Sequence, residues 1–350
     1  MVEINPDITK ARTLSSNYYT DSKIFHSIFS KFGRYWQYIG HASEFDEGYV
    51  KPVKIGHEHI VLSRTTEGFH CFSNVCTHRG MIIVGDEGCK KSLICPYHGR
   101  TFSLEGKFKK MPEFESVENF PTINDDLSHY KTNIWENLIF TLLNEVDETN
   151  NWFEHVKQRM SFLDIGNFTY DSSRERKYSI KANWILYVDN YLEGFHIPFV
   201  HKELNKALDY GQYKTEVFTG GVLQVGIADE GTNSFDIPPG HQDYGKKVAA
   251  YYWWLYPNLM LNFYPWGLSI NVINPVSEDV TEVRYYGLVN KEELLGKGAG
   301  ADLDKVELED QFVVESCQKG IRSSSYTNGR YSPTMERGLH HFHMMLTENN

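Results

Sequence analysis

Two short runs, Cys76-Thr77-His78-Arg79-Gly80 and Cys95-Pro96-Tyr97-His98-Gly99, carry the most informative residues of the chain. Each run pairs one cysteine with one histidine and ends on a glycine, which lets the backbone turn tightly. Each loop therefore offers one thiolate and one imidazole from neighbouring positions. Together the two runs predict a metal centre built from two cysteines and two histidines.

The order of the ligands separates two kinds of centre. Zinc accepts two cysteines and two histidines, but a zinc finger carries both cysteines in one loop and both histidines in the other. A Rieske [2Fe–2S] cluster takes two cysteines on one iron and two histidines on the other. Because each mixed loop can serve both irons, the pattern favours the cluster, held by Cys76, His78, Cys95 and His98. Zinc stays the alternative.

The whole chain, with 350 residues, is long enough for two domains. Its formal net charge of −11 disfavours nucleic acid as a partner. We find neither a signal-peptide pattern at the start nor an apolar run that could span a membrane. Five cysteines do not make a disulfide scaffold in a chain of this size, so Cys71, Cys89 and Cys317 are expected to be free thiols. A reducing, cytoplasmic setting fits this pattern.

Changes in hydrophobic periodicity divide the chain into three parts. Residues 1–35 include a helical apolar pattern and are expected to form an arm that packs on the C-terminal domain. Residues 36–146 alternate β-rich runs with turn residues, which predicts an antiparallel sandwich with the two loops at one tip. After a polar boundary at 144–151, residues 147–350 combine long strands with a periodic helix near 301–321. The expected fold class is therefore α+β, with an antiparallel sheet wrapped against a long helix.

A second group of possible ligands lies in the C-terminal part. His196 and His201 would point about 140° apart on an ideal helix. Pro198 interrupts the helix between them and could bring both rings to one centre. Projection of the late helix places Asp310 in the middle of its apolar stripe, whereas Glu309 and Glu315 point away.

A carboxylate on a core-facing stripe must be paired or bound to a metal. Two histidines with one carboxylate form the facial triad of non-haem Fe(II) oxygenases. We therefore predict one iron at His196, His201 and Asp310, with a buried ion pair from Asp310 to Arg322 or Lys319 as the alternative. Glu193, one turn before His196, is either a solvated acid or a bridge that accepts from a histidine of each centre and carries electrons between them.

Together these residues resemble the α subunits of Rieske non-haem iron oxygenases, the ring-hydroxylating oxygenase family. The resemblance covers nearly the whole chain. It includes Tyr19-Thr20-Asp21, residues 34–41, both Cys-His loops, residues 190–201, Gly329-Arg330-Tyr331-Ser332-Pro333 and His340-His341-Phe342-His343. It implies an N-terminal Rieske β-sandwich domain and a C-terminal helix-grip (START-like) catalytic domain. It also implies a head-to-tail homotrimer in which the cluster of one subunit faces the mononuclear iron of its neighbour.

Several positions narrow the resemblance. Most ring-hydroxylating members have aspartate at the bridging position, whereas Asn190-Tyr191-Leu192-Glu193 looks most like the branch that oxidises quaternary ammonium compounds such as carnitine. Other members of that branch oxidise choline, glycine betaine or stachydrine, some of them with aspartate at the bridge, and the expected substrate is therefore a quaternary ammonium cation. Aromatic residues could form a cage for such a cation, although aromatic strands more often build core. The candidates are Tyr251, Trp253, Tyr264 and Trp266.

Other positions say less about the function. Met81 and Tyr97 replace the disulfide cysteines of high-potential respiratory proteins, which implies a low-potential cluster. Arg100 replaces a tryptophan common in oxygenases, and the sequence indicates no consequence. His340, His341 and His343 are interpreted as packing or surface residues.

The resemblance implies a terminal oxygenase component. Electrons from NAD(P)H would arrive from a separate flavin or iron–sulfur reductase, because the chain lacks a dinucleotide motif and plant-type ferredoxin spacing. They would pass from the cluster through Glu193 to Fe(II), which activates O₂ to hydroxylate or N-demethylate a small substrate. Asp189 and Asn190 could tune the iron pocket. The alternatives are oxidation of an aromatic, alicyclic or natural-product scaffold, a pure electron carrier, and a zinc-binding module.

Overall fold

The computed structural model describes residues 3–144 and 152–348. The chain forms two compact units, a small unit of Ser30–Asp147 and a large unit of Met1–Phe29 with Glu148–Asn350. The division after Phe29 lies six residues before the limit at residue 35 expected from the sequence. The second limit, between residues 146 and 147, lies outside the described residues.

Short antiparallel strands build the small unit. They are β1 (Gln37–His41), β2 (Tyr49–Ile55), β3 (Glu58–Thr65), β4 (Gly68–Ser73), β5 (Gly88–Cys89), β6 (Leu93–Ile94), β7 (Thr101–Phe102), β8 (Phe108–Lys110), β9 (Lys131–Trp135) and β10 (Leu138–Leu142). They form sheets in the orders β4-β3-β2-β5, β1-β10-β9 and β6-β7-β8. The core contains Val61 and Phe72 together with Cys76 and Cys95, so both Cys-His loops are anchored in packed side chains.

The large unit combines one broad sheet with helices. The helices are α1 (Asn17–Thr20), α2 (Ser22–Phe29), α3 (Phe153–Arg159), α4 (Trp184–Tyr191), α5 (Ile197–Val200), α6 (Lys202–Ala207), α7 (Leu303–Ile321) and α8 (Arg337–Glu348). The strands are β11 (Thr169–Ile180), β12 (Lys214–Phe218), β13 (Gly221–Ile227), β14 (Val248–Leu255), β15 (Leu259–Tyr264), β16 (Gly267–Ser277) and β17 (Val280–Val289). They form a seven-stranded antiparallel sheet in the order β11-β17-β16-β15-β14-β13-β12. This mixture of helices and antiparallel sheets confirms the predicted α+β class.

Two helical segments position the candidate ligands of the large unit. The prediction that Pro198 breaks the helix between the two histidines is wrong, because the break lies before His196: α4 ends at Tyr191, and α5 begins at Ile197 with Pro198 in its first turn. Proline is tolerated there because the first amides of a helix have no partner within the helix. The long helix α7 begins after Asp302, whose side chain accepts from the Lys305 amide, and packs against α4. None of the described helices combines the length and apolar character needed to cross a membrane.

Candidate metal centres and cavity

The two Cys-His loops have matching backbone conformations. The Gly80 amide donates to the Cys76 carbonyl at 2.9 Å, and the Gly99 amide donates to the Cys95 carbonyl at 3.0 Å. Each cysteine amide donates at 2.8 Å to the carbonyl five residues later, in Met81 and in Arg100. The φ angles of Gly80 and Gly99 are +72° and +74°, in the left-handed region that favours glycine. The loops are therefore two copies of one turn.

The four predicted cluster ligands lie together at these turns. Cys76 and Cys95 are each 2% exposed, and the ring centroids of His78 and His98 are 4.8 Å apart. Burial raises the pKa of the Cys76 thiol, and the nearby Cys95 thiol also raises it, while the His78 amide and the Arg100 guanidinium lower it. Nδ1 of His98 is buried without a hydrogen-bond partner. A buried nitrogen in that state needs a partner, so these residues fit a centre of two thiolates and two imidazoles.

His196, His201 and Asp310 form the second candidate centre. One ligand atom from each lies within 4.8 Å of the others. Oδ1 of Asp310 is 2.9 Å from Nε2 of His201 and 3.7 Å from Nε2 of His196. Arg322, the alternative partner of Asp310, instead pairs with Asp279. Two imidazole nitrogens facing one carboxylate fit the facial triad, which leaves coordination positions open.

A glutamate holds the outer nitrogen of each ligand histidine. Nδ1 of His196 is 2.7 Å from Oε1 of Glu193, whose Oε2 accepts from the His196 amide at 3.0 Å. Nδ1 of His201 is 2.8 Å from Oε2 of Glu309. A carboxylate at Nδ1 fixes the tautomer, so that Nε2 presents its lone pair to a metal. The prediction that Glu309 points away is wrong. Its side chain is one methylene longer than that of Asp310 and reaches Nδ1 of His201, whereas Asp310 lies at Nε2 of the same ring.

Asn190 and Asp189 have different surroundings. Nδ2 of Asn190 donates to Oδ1 of Asp310 at 2.6 Å and so orients that carboxylate. Asp189 accepts from the Tyr19 hydroxyl at 2.9 Å and lies 2.8 Å from Nε2 of His343. Asp189 therefore anchors α4 to the N-terminal segment and α8. Buried His343 helps to hold that anchor.

The neighbouring histidines also have local partners. His340 Nε2 lies 2.8 Å from the Asn5 carbonyl, and His341 Nε2 lies 3.0 Å from the Phe218 carbonyl. Both contacts are to backbone oxygens of the large unit. They agree with packing positions rather than metal ligation.

A cavity opens beside His196, His201 and Asp310. Its walls contain many tyrosines and several neutral polar side chains. They include Tyr187, Tyr191, Tyr213, Tyr252, Tyr264, Tyr285, Gln224, Asn262, Ser269 and Asn271. The Gln224 amide donates to the Tyr191 carbonyl at 2.6 Å, which leaves its buried Oε1 without a partner. The cavity therefore joins aromatic faces, an unused acceptor and the metal-ligand carboxylate.

Of the four predicted cage residues, the structure brings Tyr264 to the cavity wall and leaves Tyr251, Trp253 and Trp266 off it. Alternation along β14 turns Tyr252 inward and its neighbours to the other face of the sheet. There the Tyr251 hydroxyl donates to Asp243 at 2.9 Å, and Trp253 packs on Phe218.

The third excluded residue, Trp266, packs between Tyr264 and Arg174. The cage prediction is wrong at Tyr251 and Trp253 because an aromatic run does not reveal which face of the sheet turns inward, and at Trp266 because this residue lies in the turn between β15 and β16. The sequence also left Tyr191, Tyr213 and Gln224 without a role, and it did not separate Tyr252 from its neighbours in the aromatic run 251–256. Tyr252 shares a face of the sheet with Tyr264, because the structure pairs Tyr252 with Asn262, two residues before Tyr264.

Comparisons with known proteins follow this geometry. The family model for the ring hydroxylating alpha subunit (catalytic domain) matches residues 165–349, and that for the Rieske [2Fe-2S] domain matches residues 35–121. Choline monooxygenase, chloroplastic, of Arabidopsis thaliana is 30% identical over 372 residues, covering 100% of this chain and 86% of that protein. The carnitine monooxygenase oxygenase subunit of Escherichia coli (strain K12) is 28% identical over 357 residues, covering 97% and 94%.

Solved structures show the same fold. The quaternary ammonium Rieske monooxygenase CntA in complex with L-carnitine has a TM-score of 0.78 at 24% identity and covers 99% of both chains. Naphthalene 1,2-dioxygenase with indole bound has a TM-score of 0.73 at 18% identity, covering 99% of this chain and 95% of that one. The two family models and the choline monooxygenase relative disfavour the pure electron carrier and the zinc module. The chain belongs to the ring-hydroxylating oxygenase α-subunit family, and is an oxidoreductase with a Rieske [2Fe–2S] domain and a mononuclear-iron catalytic domain.

Proposed function

We propose that this protein is the terminal oxygenase component that hydroxylates or N-demethylates a quaternary ammonium compound with O₂. The observation that carries the proposal is the tyrosine-lined cavity beside His196, His201 and Asp310. The faces of aromatic rings attract cations, most strongly where water is excluded. The names of the choline and carnitine relatives support the same substrate class.

The walls of the cavity supply both attraction and orientation for such a substrate. Tyr264 is buried and Tyr213 is partly buried, and both present aromatic surface, while the Glu193 carboxylate adds negative charge at the same wall. The unpartnered Oε1 of Gln224 can accept a hydrogen bond from a hydroxyl of the ligand. Together these groups favour a cation with a polar substituent over a neutral aromatic ring.

The two metal groups have assigned holders in this proposal. Cys76, His78, Cys95 and His98 hold the cluster, and His196, His201 and Asp310 hold the iron. When bound, these groups supply the electrons and the O₂ activation needed to oxidise a C–H bond. The protein's part is positional: Glu193 and Glu309 orient the histidine rings, and Asn190 orients the Asp310 carboxylate. A carbon hydroxylated next to nitrogen loses aldehyde, which gives demethylation.

We further propose a homotrimer supplied by a separate flavin or iron–sulfur reductase. Near the iron ligands, Phe199 is 76% exposed and Phe312 is 74% exposed. On the small unit, Tyr97 and Ile94 are 56% and 57% exposed beside the second Cys-His loop. Exposed apolar clusters of this kind mark interaction surfaces. In the proposed ring these patches meet between subunits, and Glu193 accepts from a cluster histidine of the neighbour. The expected free thiols support a cytoplasmic location as part of this proposal.

A substrate screen tests the proposed function. The protein, a reductase and NADH are offered trimethylammonium compounds or aromatic acids, and O₂ consumption, NADH consumption and product mass are measured. We expect coupled turnover with the cations. Asp310→Ala should lose mononuclear iron and product while the cluster absorbance remains, because two imidazoles alone bind Fe(II) weakly.

The matched control is Asp236→Ala, which removes an exposed aspartate from the same unit and should keep native turnover. Coupled turnover of an aromatic acid but of none of the cations would contradict the substrate class. An active Asp310→Ala protein with a full iron content would contradict the assigned iron site.

A further inference from the structure

Arg100 is a buried cation directly after the second Cys-His loop. Its side chain is 2% exposed, and its guanidinium carbon lies 4.9 Å from the ring centroid of Phe108 and 5.5 Å from that of Phe120. Its Nε is buried without a hydrogen-bond partner. Apolar rings screen a charge far less than water does, so this guanidinium acts on its surroundings over a longer distance than a surface arginine.

Hydrogen bonds place this guanidinium beside both loops. Nη2 of Arg100 donates to the Asp125 carbonyl oxygen at 3.2 Å, and Oγ1 of Thr77 donates to that same oxygen at 3.0 Å. Thr77 lies between Cys76 and His78 in the first loop. The Arg100 carbonyl accepts from the Cys95 amide at 2.8 Å in the second loop. Arg100 therefore contacts the second loop directly and shares the Asp125 carbonyl oxygen with Thr77 of the first loop.

Asp125 compensates this charge only in part. Its Oδ1 accepts from Nη2 of Arg100 at 2.7 Å, and its Oδ2 accepts from the Thr122 amide at 2.7 Å. Partial burial raises the pKa of Asp125, but hydrogen bonds from Thr122 and Arg100 lower it overall, so the carboxylate stays ionised at neutral pH. Its side chain is 20% exposed against 2% for Arg100, so water screens the negative charge more than the positive one.

We propose that Arg100 is a positioning residue whose buried charge raises the reduction potential of the [2Fe–2S] cluster. Reduction adds one electron to the cluster and breaks no bond, so the reduced form carries one more negative charge. A nearby cation stabilises that form, since net charge and burial are among the factors that set the potentials of iron–sulfur clusters. Asp125 acts in the opposite sense. The inference concerns the cluster alone and does not depend on the identity of the substrate.

The test is a redox titration of the intact holoprotein with dithionite and mediators, followed by visible absorbance and by the electron spin resonance signal of the reduced cluster. Arg100→Gln should lower the equilibrium constant for reduction about tenfold or more, which is about 59 mV for one electron. Arg100→Lys should stay within about threefold of the native constant, because it keeps the charge. Asp125→Asn should raise the constant.

Lys107→Gln is the matched control. Lys107 lies in the same small unit, its side chain is 56% exposed, and its ammonium pairs with Asp126. The variant should change the constant by less than about twofold, because water screens an exposed charge.

Opposite shifts of the reduction potential in Arg100→Gln and Asp125→Asn support the proposal. If the substitutions only loosened the loops, both would shift the potential in the same direction. An Arg100→Gln protein with intact cluster absorbance and an unchanged potential overturns it. If Arg100→Gln does not assemble a cluster, Asp125→Asn decides: a higher potential supports the proposal, and an unchanged or lower one overturns it.

Discussion

The two iron-ligand histidines are held in the same way by different parts of the chain. Glu193 holds His196 from three residues away, and Glu309 holds His201 from a separation of 108 residues. In both pairs the carboxylate meets Nδ1 and leaves Nε2 for the metal. Such partners of ligand histidines also raise the basicity of the ring. The iron site therefore depends on two carboxylates that do not touch the metal themselves.

Replacing Glu309 tests that dependence at one residue. Glu309→Gln keeps the size of the side chain but removes the negative charge opposite His201. We expect a loss of Fe(II) affinity of about 10- to 100-fold, the usual effect of losing such a partner. Iron bound after dialysis against a graded chelator measures it, and the cluster absorbance should not change.

Glu203→Gln is the control, because Glu203 is exposed on α6 and pairs with Lys206. An unchanged iron affinity in Glu309→Gln would show that the hydrogen bond to His201 does not support the metal.

Local spacing explains which residues of the site were predictable. Asp310 stood out because a carboxylate in an apolar helical stripe conflicts with burial, and Glu193 because it lies one turn from His196. Glu309 was missed because its contact joins distant segments, and the projection treats a flexible side chain as a fixed direction. Seven of the ten cavity residues named above lie on β13 to β17, and their positions depend on sheet register, which short apolar runs leave ambiguous.

At the scale of one element, α7 carries two acids with different environments, one partly exposed and one buried. Asp310 faces the histidines, whereas Glu307, one turn earlier, is 1% exposed. Oε2 of Glu307 accepts from the hydroxyls of Tyr187 and Tyr285, and its Oε1 has no partner. Burial raises the pKa of Glu307 from 4.5 to about 8. The projection that singled out Asp310 places Glu307 about 60° from it, at the edge of the same apolar stripe, but in the sequence Glu307 looks like one of the many solvated acids of the helix.

The raised pKa makes the stability of the large unit depend on pH. A carboxyl group that is harder to ionise when folded contributes stability below its unfolded pKa of 4.5, and that stability is lost as pH rises toward about 8. At about 1.4 kcal/mol per pH unit the full loss is of the order of 5 kcal/mol. Glu307→Gln cannot ionise, so its thermal midpoint relative to the native protein should rise between pH 5 and pH 8.

Thermal unfolding followed by circular dichroism at both pH values measures this difference. Glu154→Gln, which replaces a surface glutamate of α3 that is 70% exposed, should show the same pH dependence as the native protein. If Glu307→Gln also tracks the native protein from pH 5 to pH 8, then Glu307 does not titrate in this range.

At the scale of the whole molecule, the two centres are held by separate compact units of one chain. The α+β class followed from local sequence patterns, and so did the choice of candidate ligands, although Asp310 meets His201 across a separation of 109 residues. The proposed trimer depends on surfaces, and surface pairing leaves little trace in a single sequence. Apolar side chains such as Phe199 and Phe312 become informative only when the fold shows that they are exposed.

Mixed trimers test the arrangement of subunits. Asp310→Ala lacks the iron site and His98→Ala lacks the cluster site, so each protein alone should be inactive. In a head-to-tail ring that contains both kinds of subunit, one of the three neighbouring pairs joins an intact cluster site to an intact iron site. Co-expressed, doubly tagged mixed trimers should therefore recover about one third of the native rate. Mixed trimers without activity would show that the two sites do not cooperate across subunits.

The paired glycines of the Cys-His loops have a consequence for the evolution of the site. A β-carbon built on Gly80 would meet nothing closer than 4.0 Å, and one on Gly99 nothing closer than 3.6 Å. Space is therefore available, and chirality is what restricts both positions: the left-handed backbone penalises most L-residues by about 1–2 kcal/mol, asparagine and aspartate less than the others. A D-alanine would satisfy both turns, yet no codon encodes one. The genetic code, rather than crowding, thus leaves glycine as the natural choice at both ends of the cluster site.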